Sequence, residues 1–390
     1  MCAFPRLPKA RESEDFAYEN TASSAPFLMR RAAGTAKAVL IGGAALAGVA
    51  ALGSATIGAF VMAGVRRARA KSLKGKTVVI TGSSRGLGLA MAEEFGRRGA
   101  RIVVTARNGD ELQRAKDLLL ERGAVADAGD ILVVPADLRT PEEADYLMHR
   151  ATETFGQVDV LVNNAGVITV GPIENQTVQN FHDVMETNFF SGVHCTLSVL
   201  PQMLARRQGT IVNITSIGGK VAIPHLLPYT ASKFAAVGFS EGLHAEIKSK
   251  GVHVLTVCPG LMRTGSHLNA QFSGDAEREY RWFSLGASLP GASTSASHAA
   301  RRIVRAVLSK ETEIAITPQA MVAARLGNVS PGLTAGALRM MNRVLPDPVP
   351  ETSAPVRGAA ARGRETKAAA KIGWAAGRRY NETDGAEPAR

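Results

Sequence analysis

Between Lys76 and Thr317 the chain alternates short, almost continuous apolar runs with stretches of helical pattern. The runs are TVVIT (77–81), RIVVTA (101–106), ILVVP (131–135), VDVLVNNAG (158–166), GTIVNITS (209–216), VHVLTVCPG (252–260) and EIAIT (313–317). Strands that read as continuous apolar runs are covered on both faces. Between them, Gly86–Arg98, Asp110–Arg122, Pro141–Phe155, Val178–Arg206, a stretch beginning near Pro228, and Ala299–Ser309 read as helices. Regular strand–helix alternation predicts the α/β class: a doubly wound parallel sheet of about seven strands.

The flanks read differently. Residues 1–37 are polar and without periodicity, which predicts a flexible segment. From Ala38 to Val65 there is neither a charged residue nor a proline. About 20 apolar residues span a bilayer, so 38–65 is expected to be a single transmembrane helix. The polar stretch before it is too long, and the apolar run too extended, for a signal peptide. Arg66, Arg67, Arg69, Lys71, Lys74 and Lys76 follow the run, against Arg30, Arg31 and Lys37 before it. That asymmetry puts the C-terminal side of the run, and the domain that follows it, in the cytoplasm, as expected of a single-pass membrane protein. The basic linker 66–75 would meet anionic membrane lipid. Small residues at Gly43, Ala47, Ala51, Ala55, Ala59 and Ala63 would let two such helices pack closely as a homodimer.

After the main domain (76–317), residues 318–347 read as amphipathic helices that would pack on the domain or lie on the membrane. Residues 348–390, rich in Ala, Arg and Gly, read as a disordered tail. Three cysteines (Cys2, Cys195, Cys258) are too few and too scattered for a disulfide framework, and the eight histidines lack metal-ligand spacing. Aromatic content of 5% argues against a base-stacking nucleic-acid surface.

The first strand runs straight into TGSSRGLGLA (81–90), where Gly82, Gly86 and Gly88 open a helix. Small residues there let the backbone approach a pyrophosphate, and the helix N-terminus presents free N–H groups to it. The spacing is G-x-x-x-G-x-G rather than the commoner G-x-G-x-x-G. An NAD site usually carries an acidic residue at the end of the second strand, to hold the ribose hydroxyl. Here that strand leads into Arg107, and Arg85 lies inside the turn. Two arginines suit the 2′-phosphate of NADP, which a guanidinium binds bidentately.

Further along, PYTASKFAAV (228–237) sets Tyr229 four residues before Lys233, which places both on one helix face. TGSSRGLG, ADL (136–138), NNAG (163–166), TNFFSG (187–192), NITS ending at Ser216, YTASK and PGLMRT (259–264) follow one another in order. With these motifs the sequence resembles the short-chain dehydrogenase/reductase family over roughly 76–317. With its apolar N-terminal run it is also similar to the family's membrane-anchored steroid- and retinoid-type members.

The resemblance implies a Rossmann fold and a role for each motif. Tyr229 would protonate the carbonyl oxygen as hydride arrives. Lys233 would lower the Tyr229 pKa and bond the nicotinamide ribose, since a phenol near its ordinary pKa of about 10 exchanges protons poorly at neutrality. Ser216 would orient the substrate oxygen, and Asn188 would hold a water that relays protons to Lys233. Gly82, Ser83, Ser84, Arg85, Gly86, Leu87 and Gly88 would cradle the cofactor, joined by Arg107 and Asn108. Asp137 would contact adenine beside Leu138, and Asn163, Asn164, Ala165 and Gly166 would line the cleft. Pro259, Gly260 and Thr264 would border the nicotinamide.

The segment 265–290 and the stretch VAIPHLLP (221–228) should cover the substrate pocket. Phe272, Tyr280, Trp282 and Phe283 either make that pocket apolar, for a lipid-like alcohol or ketone, or simply dock the cover. His225 would line its mouth. The expected function is NADP(H)-linked hydride transfer on a hydrophobic carbonyl or secondary alcohol. The other reading is a non-catalytic, membrane-bound dinucleotide sensor, which would not need the Asn188, Ser216, Tyr229 and Lys233 set.

Overall fold

Val78 and Ile80 enter one apolar core while Val79 enters another. This two-residue alternation is what an extended strand imposes when both of its faces are covered. The computed structural model describes residues 73–288, 293–317, 319–322, 325, 330–350, 354–361 and 367–383. Segment 1–37, the expected transmembrane helix 38–65 and most of the linker 66–75 lie outside them. Among the described residues no helix is long and apolar enough to cross a membrane.

Seven strands form one parallel sheet: β1 (Thr77–Thr81), β2 (Arg101–Ala106), β3 (Ile131–Pro135), β4 (Val160–Asn163), β5 (Gly209–Ile214), β6 (Val252–Cys258) and β7 (Glu313–Ala315). Their order is β7-β6-β5-β4-β1-β2-β3. In-register pairs such as Val79 with Val103, Leu161 with Ile211, and Ile211 with Val254 align the strands' carboxyl ends.

One face is covered by α1 (Gly86–Gly96), α2 (Gly109–Glu121) and, further along the chain, the helix Ala296–Ser309. Leu89, Phe95, Leu112, Leu119, Ile303 and Val304 fill that core. The other face takes α3 (Pro141–Phe155), α4 (Val178–Met185), α5 (Ser191–Ala205) and α6 (Leu227–Ile247). Leu147, Met148, Val199, Met203 and Ile247 pack there. The chain leaves β1 toward β2 on one side and later returns to β4 on the other. The crevice at this reversal, beyond the strand ends, is where open α/β sheets bind ligands.

Three expectations are corrected. The helix expected over Val178–Arg206 is interrupted by a π-helical turn at Glu186–Phe190. There Asn188 turns its side chain to the backbone of Val167, while Thr187 and Ser191 donate their hydroxyls to the carbonyls of Asp183 and Thr187.

Of the two alternatives for 318–347, packing on the domain holds for Ala320, which is buried, and not for the described helix further on. The helix Pro331–Asn342 buries no residue and leaves Leu333 78% and Met340 68% exposed.

Parts of the tail expected to be disordered over 348–390 are structured. Val356–Arg357 pairs antiparallel with Gln271–Phe272, Gly358–Ala361 forms a helical turn, and Lys367–Arg379 forms a helix. Alanine is the best helix former, and Val356, Ala361 and Tyr380 supply apolar anchors for this segment.

Candidate active site

The turn after β1 is shaped by close approaches. Gly82 has φ +60°, and a Cβ there would lie 2.8 Å from the Ala165 Cα. A Cβ on Gly88 would stand 2.2 Å from the Gly82 carbonyl oxygen. Neither position admits a side chain without backbone movement, so the glycines set the turn's curvature. Side chains then stitch it in place. The Thr81 hydroxyl accepts from the N–H groups of Asn164 and Ala165 at 2.8 and 2.9 Å. Asn164 donates to the carbonyls of Thr81 and Gly82. Ser83 donates to the Ile80 carbonyl at 2.6 Å and accepts from the Thr105 N–H at 2.9 Å. Ser83 and Asn164 therefore act on the turn's own backbone.

A cleft of about 260 Å³ opens above this turn. Gly82, Ser84, Arg85, Arg107, Asn108, Asp137, Leu138, Asn164, Ala165 and Gly166 line it. Ser83, Gly86, Leu87, Gly88, Pro259, Gly260 and Thr264 do not reach its wall. Asn163 turns instead into the protein, donating to Thr196 and Asn213. Asn108 caps α2, its side-chain oxygen accepting from the N–H groups of Asp110 and Glu111. Arg139 bonds Asp137 and holds its carboxyl below the usual range. The Thr264 hydroxyl accepts from the Ser266 N–H at 3.1 Å.

The two arginines differ. Arg85 grips Glu111 at 2.8 Å, and its Nε lies 3.3 Å from Glu382. Arg107 has no ion-pair partner among the described residues.

The four catalytic candidates converge beyond the ends of β4, β5 and β6. Ser216 ends the loop after β5 in an extended conformation, and its hydroxyl accepts from the Gly218 N–H at 3.0 Å. Tyr229 and Lys233 project from the first turns of α6. The Lys233 Nζ donates to the Ile214 carbonyl at 3.0 Å and lies 5.7 Å from the centre of the Tyr229 ring. Asn188 accepts from the Val167 N–H at 2.7 Å and donates to the Val167 carbonyl and the Ser232 hydroxyl, both at 3.0 Å. Ser232 in turn donates to the Tyr229 carbonyl. Gly166 packs against this group, since a Cβ there would sit 3.2 Å from Asn188 Oδ1 and 3.7 Å from Lys233 Nζ.

The electrostatics differ from expectation. Burial pushes the Tyr229 phenol above its usual pKa, and a hydrogen bond with Ser216 pulls it partly back. Burial lowers Lys233 to about 8. Burial thus sets the direction of the Tyr229 shift, while the Lys233 ammonium, 5.7 Å from the ring centre, gives its hydrogen bond to the Ile214 carbonyl.

The aromatic residues after Gly265 resolve the other open choice. Phe272, Tyr280 and Phe283 are buried together with Val170 and Leu226, with ring centres 5.4–6.0 Å apart for the Phe272–Tyr280 and Phe272–Phe283 pairs. They dock the cover. Trp282, Ile168, Ile223 and Tyr229 pack at the edge of this cluster, so the phenol faces apolar neighbours. His225 does not line a pocket mouth but is buried, with φ +61° and its Nδ1 2.7 Å from Glu279 Oε1. Glu279 also accepts from the Trp282 Nε1 at 2.6 Å.

Sequence reasoning missed Glu111, Glu279 and the tail residues Tyr380–Glu382, which reach the glycine turn. A carboxylate at the start of α2 was visible, but nothing near residue 382 signalled a partner 297 positions away.

Residues 76–272 match the family model described as short chain dehydrogenase. A curated relative, the dehydrogenase/reductase SDR family protein 7-like of Anopheles gambiae, is 34% identical over 255 residues, 65% of this chain and 79% of that protein. A short chain dehydrogenase/reductase from Burkholderia phymatum, solved in complex with NAD, superposes with a TM-score of 0.60 at 25% identity, covering 72% of this chain and all of that one. A metagenomic short-chain oxidoreductase in complex with NADP gives a TM-score of 0.51 at 25% identity over 64% of this chain and 99% of that one.

Proposed function

Because this chain belongs to the short-chain dehydrogenase family, we propose that it moves a hydride between NADP(H) and the carbonyl or secondary-alcohol carbon of a hydrophobic substrate. The observation that carries this reading is the convergence of three side chains: the half-buried Tyr229 ring and the Ser216 hydroxyl both lie 3.4 Å from the point a Cβ on Gly218 would reach, and the Lys233 ammonium stands 5.7 Å from the ring centre.

The glycine turn fits a dinucleotide: Gly82, Gly86 and Gly88 contribute no side chains of their own at the opening of the helix, and the cleft opens beside them along Gly82, Ser84 and Arg85. NADPH, when bound there, supplies the hydride. The residues of the chain do the rest. Tyr229, held protonated by burial, carries the proton that the substrate oxygen needs. Ser216 orients that oxygen through its hydroxyl. Lys233 stays charged below about pH 8, so that near neutrality its ammonium favours proton release from the phenol. Asn188 fixes the π turn that keeps α4 and α5 against the site. In our reading it also orders the water that resupplies the proton.

Arg107 supports NADP over NAD, because it stands at the cleft without a carboxylate partner among the described residues. The apolar neighbours of Tyr229 support a hydrophobic substrate. The uncharged run 38–65 supports a single-pass anchor with the catalytic domain in the cytoplasm, and its small-residue stripe supports pairing of two copies. Retention in carbonate-washed membranes tests the anchor.

The reaction is tested by following NADPH oxidation with a panel of hydrophobic ketones and aldehydes. Turnover by wild type, lost in Tyr229→Phe, is expected. Equal rates for the two proteins would end the proposed mechanism.

A further inference from the structure

A stretch near the end of the chain occupies the glycine turn. The Gly86 N–H, at the opening of α1, donates to the Tyr380 carbonyl at 2.8 Å. Asn381 donates its side-chain amide to the carbonyls of Ser84 and Glu111, at 2.9 and 3.1 Å. Glu382 is 4% exposed and places its carboxylate at the start of the helix. Its Oε2 lies 3.3 Å from the Arg85 Nε and accepts from the Asn269 amide. Its Oε1 stands 2.6 Å from the point a Cβ on Gly86 would reach.

An anion beside the first turn of a helix, gripped by an arginine of the same turn, is the arrangement a phosphate adopts. Here a carboxyl group of the chain itself takes that position. The segment is also held from behind. Tyr380 and Glu382 donate their N–H groups to the carbonyls of Ala376 and Gly377. Arg122 donates to the Arg379 carbonyl, and the backbone of Gly265 meets Gly377 so closely that a Cβ would lie 2.6 Å from its Cα. With the segment seated, the remaining cleft holds about 260 Å³ and Glu382 is part of its wall. Pockets for drug-sized ligands begin at roughly 300 Å³, and a dinucleotide is larger than most such ligands.

We propose that residues 380–382 are an internal ligand of the dinucleotide site: Glu382 holds the pyrophosphate position of the glycine turn, and the cofactor binds only when this segment leaves. The inference rests on the nicotinamide-dinucleotide reading above. It assigns the tail a regulatory function: the seven-stranded sheet is built without the tail, which adds only the Tyr380 ring to the core on one of its faces. If about one molecule in ten has the segment released, apparent cofactor affinity is about tenfold below its intrinsic value.

The test uses the full-length chain. Calorimetric titration of NADP into wild type and the Asn381→Ala/Glu382→Ala variant is expected to show about tenfold tighter binding by the variant. In wild type, saturating NADP should speed amide hydrogen exchange at Tyr380 and Glu382, because the segment is displaced. Unchanged or slower exchange at these amides, with NADP binding measured by calorimetry, would overturn the proposal and leave the tail as a fixed wall of the site. Equal affinity of the two proteins would overturn it as well. Should neither protein bind NADP or NAD, the dinucleotide reading itself falls and takes the proposal with it. If the variant does not fold, the wild-type exchange experiment decides alone.

Discussion

The Lys233 ammonium lies 5.7 Å from the centre of the Tyr229 ring, yet its hydrogen bond goes to the Ile214 carbonyl. The two side chains share a helix face without touching through their polar atoms. Lys233 therefore acts on the phenol by its field, and that field depends on its charge. Burial lowers its pKa to about 8 from the ordinary 10.5 of a lysine. For a cation with a depressed pKa, the charged form is lost as pH rises through that value. Rates of reduction, read as kcat/KM, should fall as pH climbs through about 8. In Lys233→Met the residual rate should be low and flat across the same window.

Tyr229→Phe removes the proton donor and keeps the ring. A positioned general acid contributes about 10²- to 10⁴-fold, so turnover should drop by that factor. Cofactor affinity should be unchanged in calorimetry, since the phenol is absent from the cleft wall.

Arg107→Ala should weaken NADP binding while leaving NAD binding nearly untouched. A hydrogen bond to a charged group is worth about 1.5–3 kcal/mol, or roughly 10- to 150-fold in affinity. Competitive titration of the two nucleotides gives the ratio directly. An unchanged preference would show that Arg107 does not read the ribose.

Glu279 is fully buried and accepts from both His225 and Trp282. Glu279→Ala leaves the buried His225 and the half-buried Trp282 without their acceptor and opens a void under the cover. A loss of about 3–5 kcal/mol is expected, measured from urea midpoints at constant m-value. A change below about 1 kcal/mol would mean that the His225–Glu279 pair is not what seats the cover.

Glu382 has its own pH signature. Burial raises its carboxyl from 4.5 to about 7, and Arg85, Asn269 and Arg357 oppose that rise while Glu111 adds to it. An acid whose pKa is raised in the seated state stabilises that state fully below about 4.5. The contribution is lost as pH rises through about 7. NADP should therefore bind wild type more tightly at pH 7.5 than at pH 5.5, relative to Glu382→Gln. Taking the ratio of the two proteins cancels the titration of the cofactor's own 2′-phosphate.

The sheet was legible because its signals are local. Each of the seven strands lies within or very near its apolar run, and the helix after TGSSRG starts at Gly86 as the turn chemistry demands. The four-residue spacing that puts Tyr229 and Lys233 on one face is likewise a property of ten consecutive residues. Helix Val178–Arg206 was misread in its middle, because the π turn at Asn188 depends on the backbone of Val167, 21 positions away. The aromatic cover was ambiguous for a similar reason: Phe272, Tyr280 and Phe283 look the same in sequence whether they line a pocket or fill a cluster.

By itself, then, the sequence determined the α/β class, the strand set, the glycine turn and the helix that carries Tyr229 and Lys233. Periodicity and turn chemistry act over a few neighbouring residues and leave their mark in composition. Tertiary structure alone decided the raised phenol, the His225–Glu279 pair and the seat of the tail. Asn381 meets Ser84 across 297 residues of chain. A contact of that kind has no period to reveal it, because it exists only once the fold has brought the two ends of the domain to one crevice.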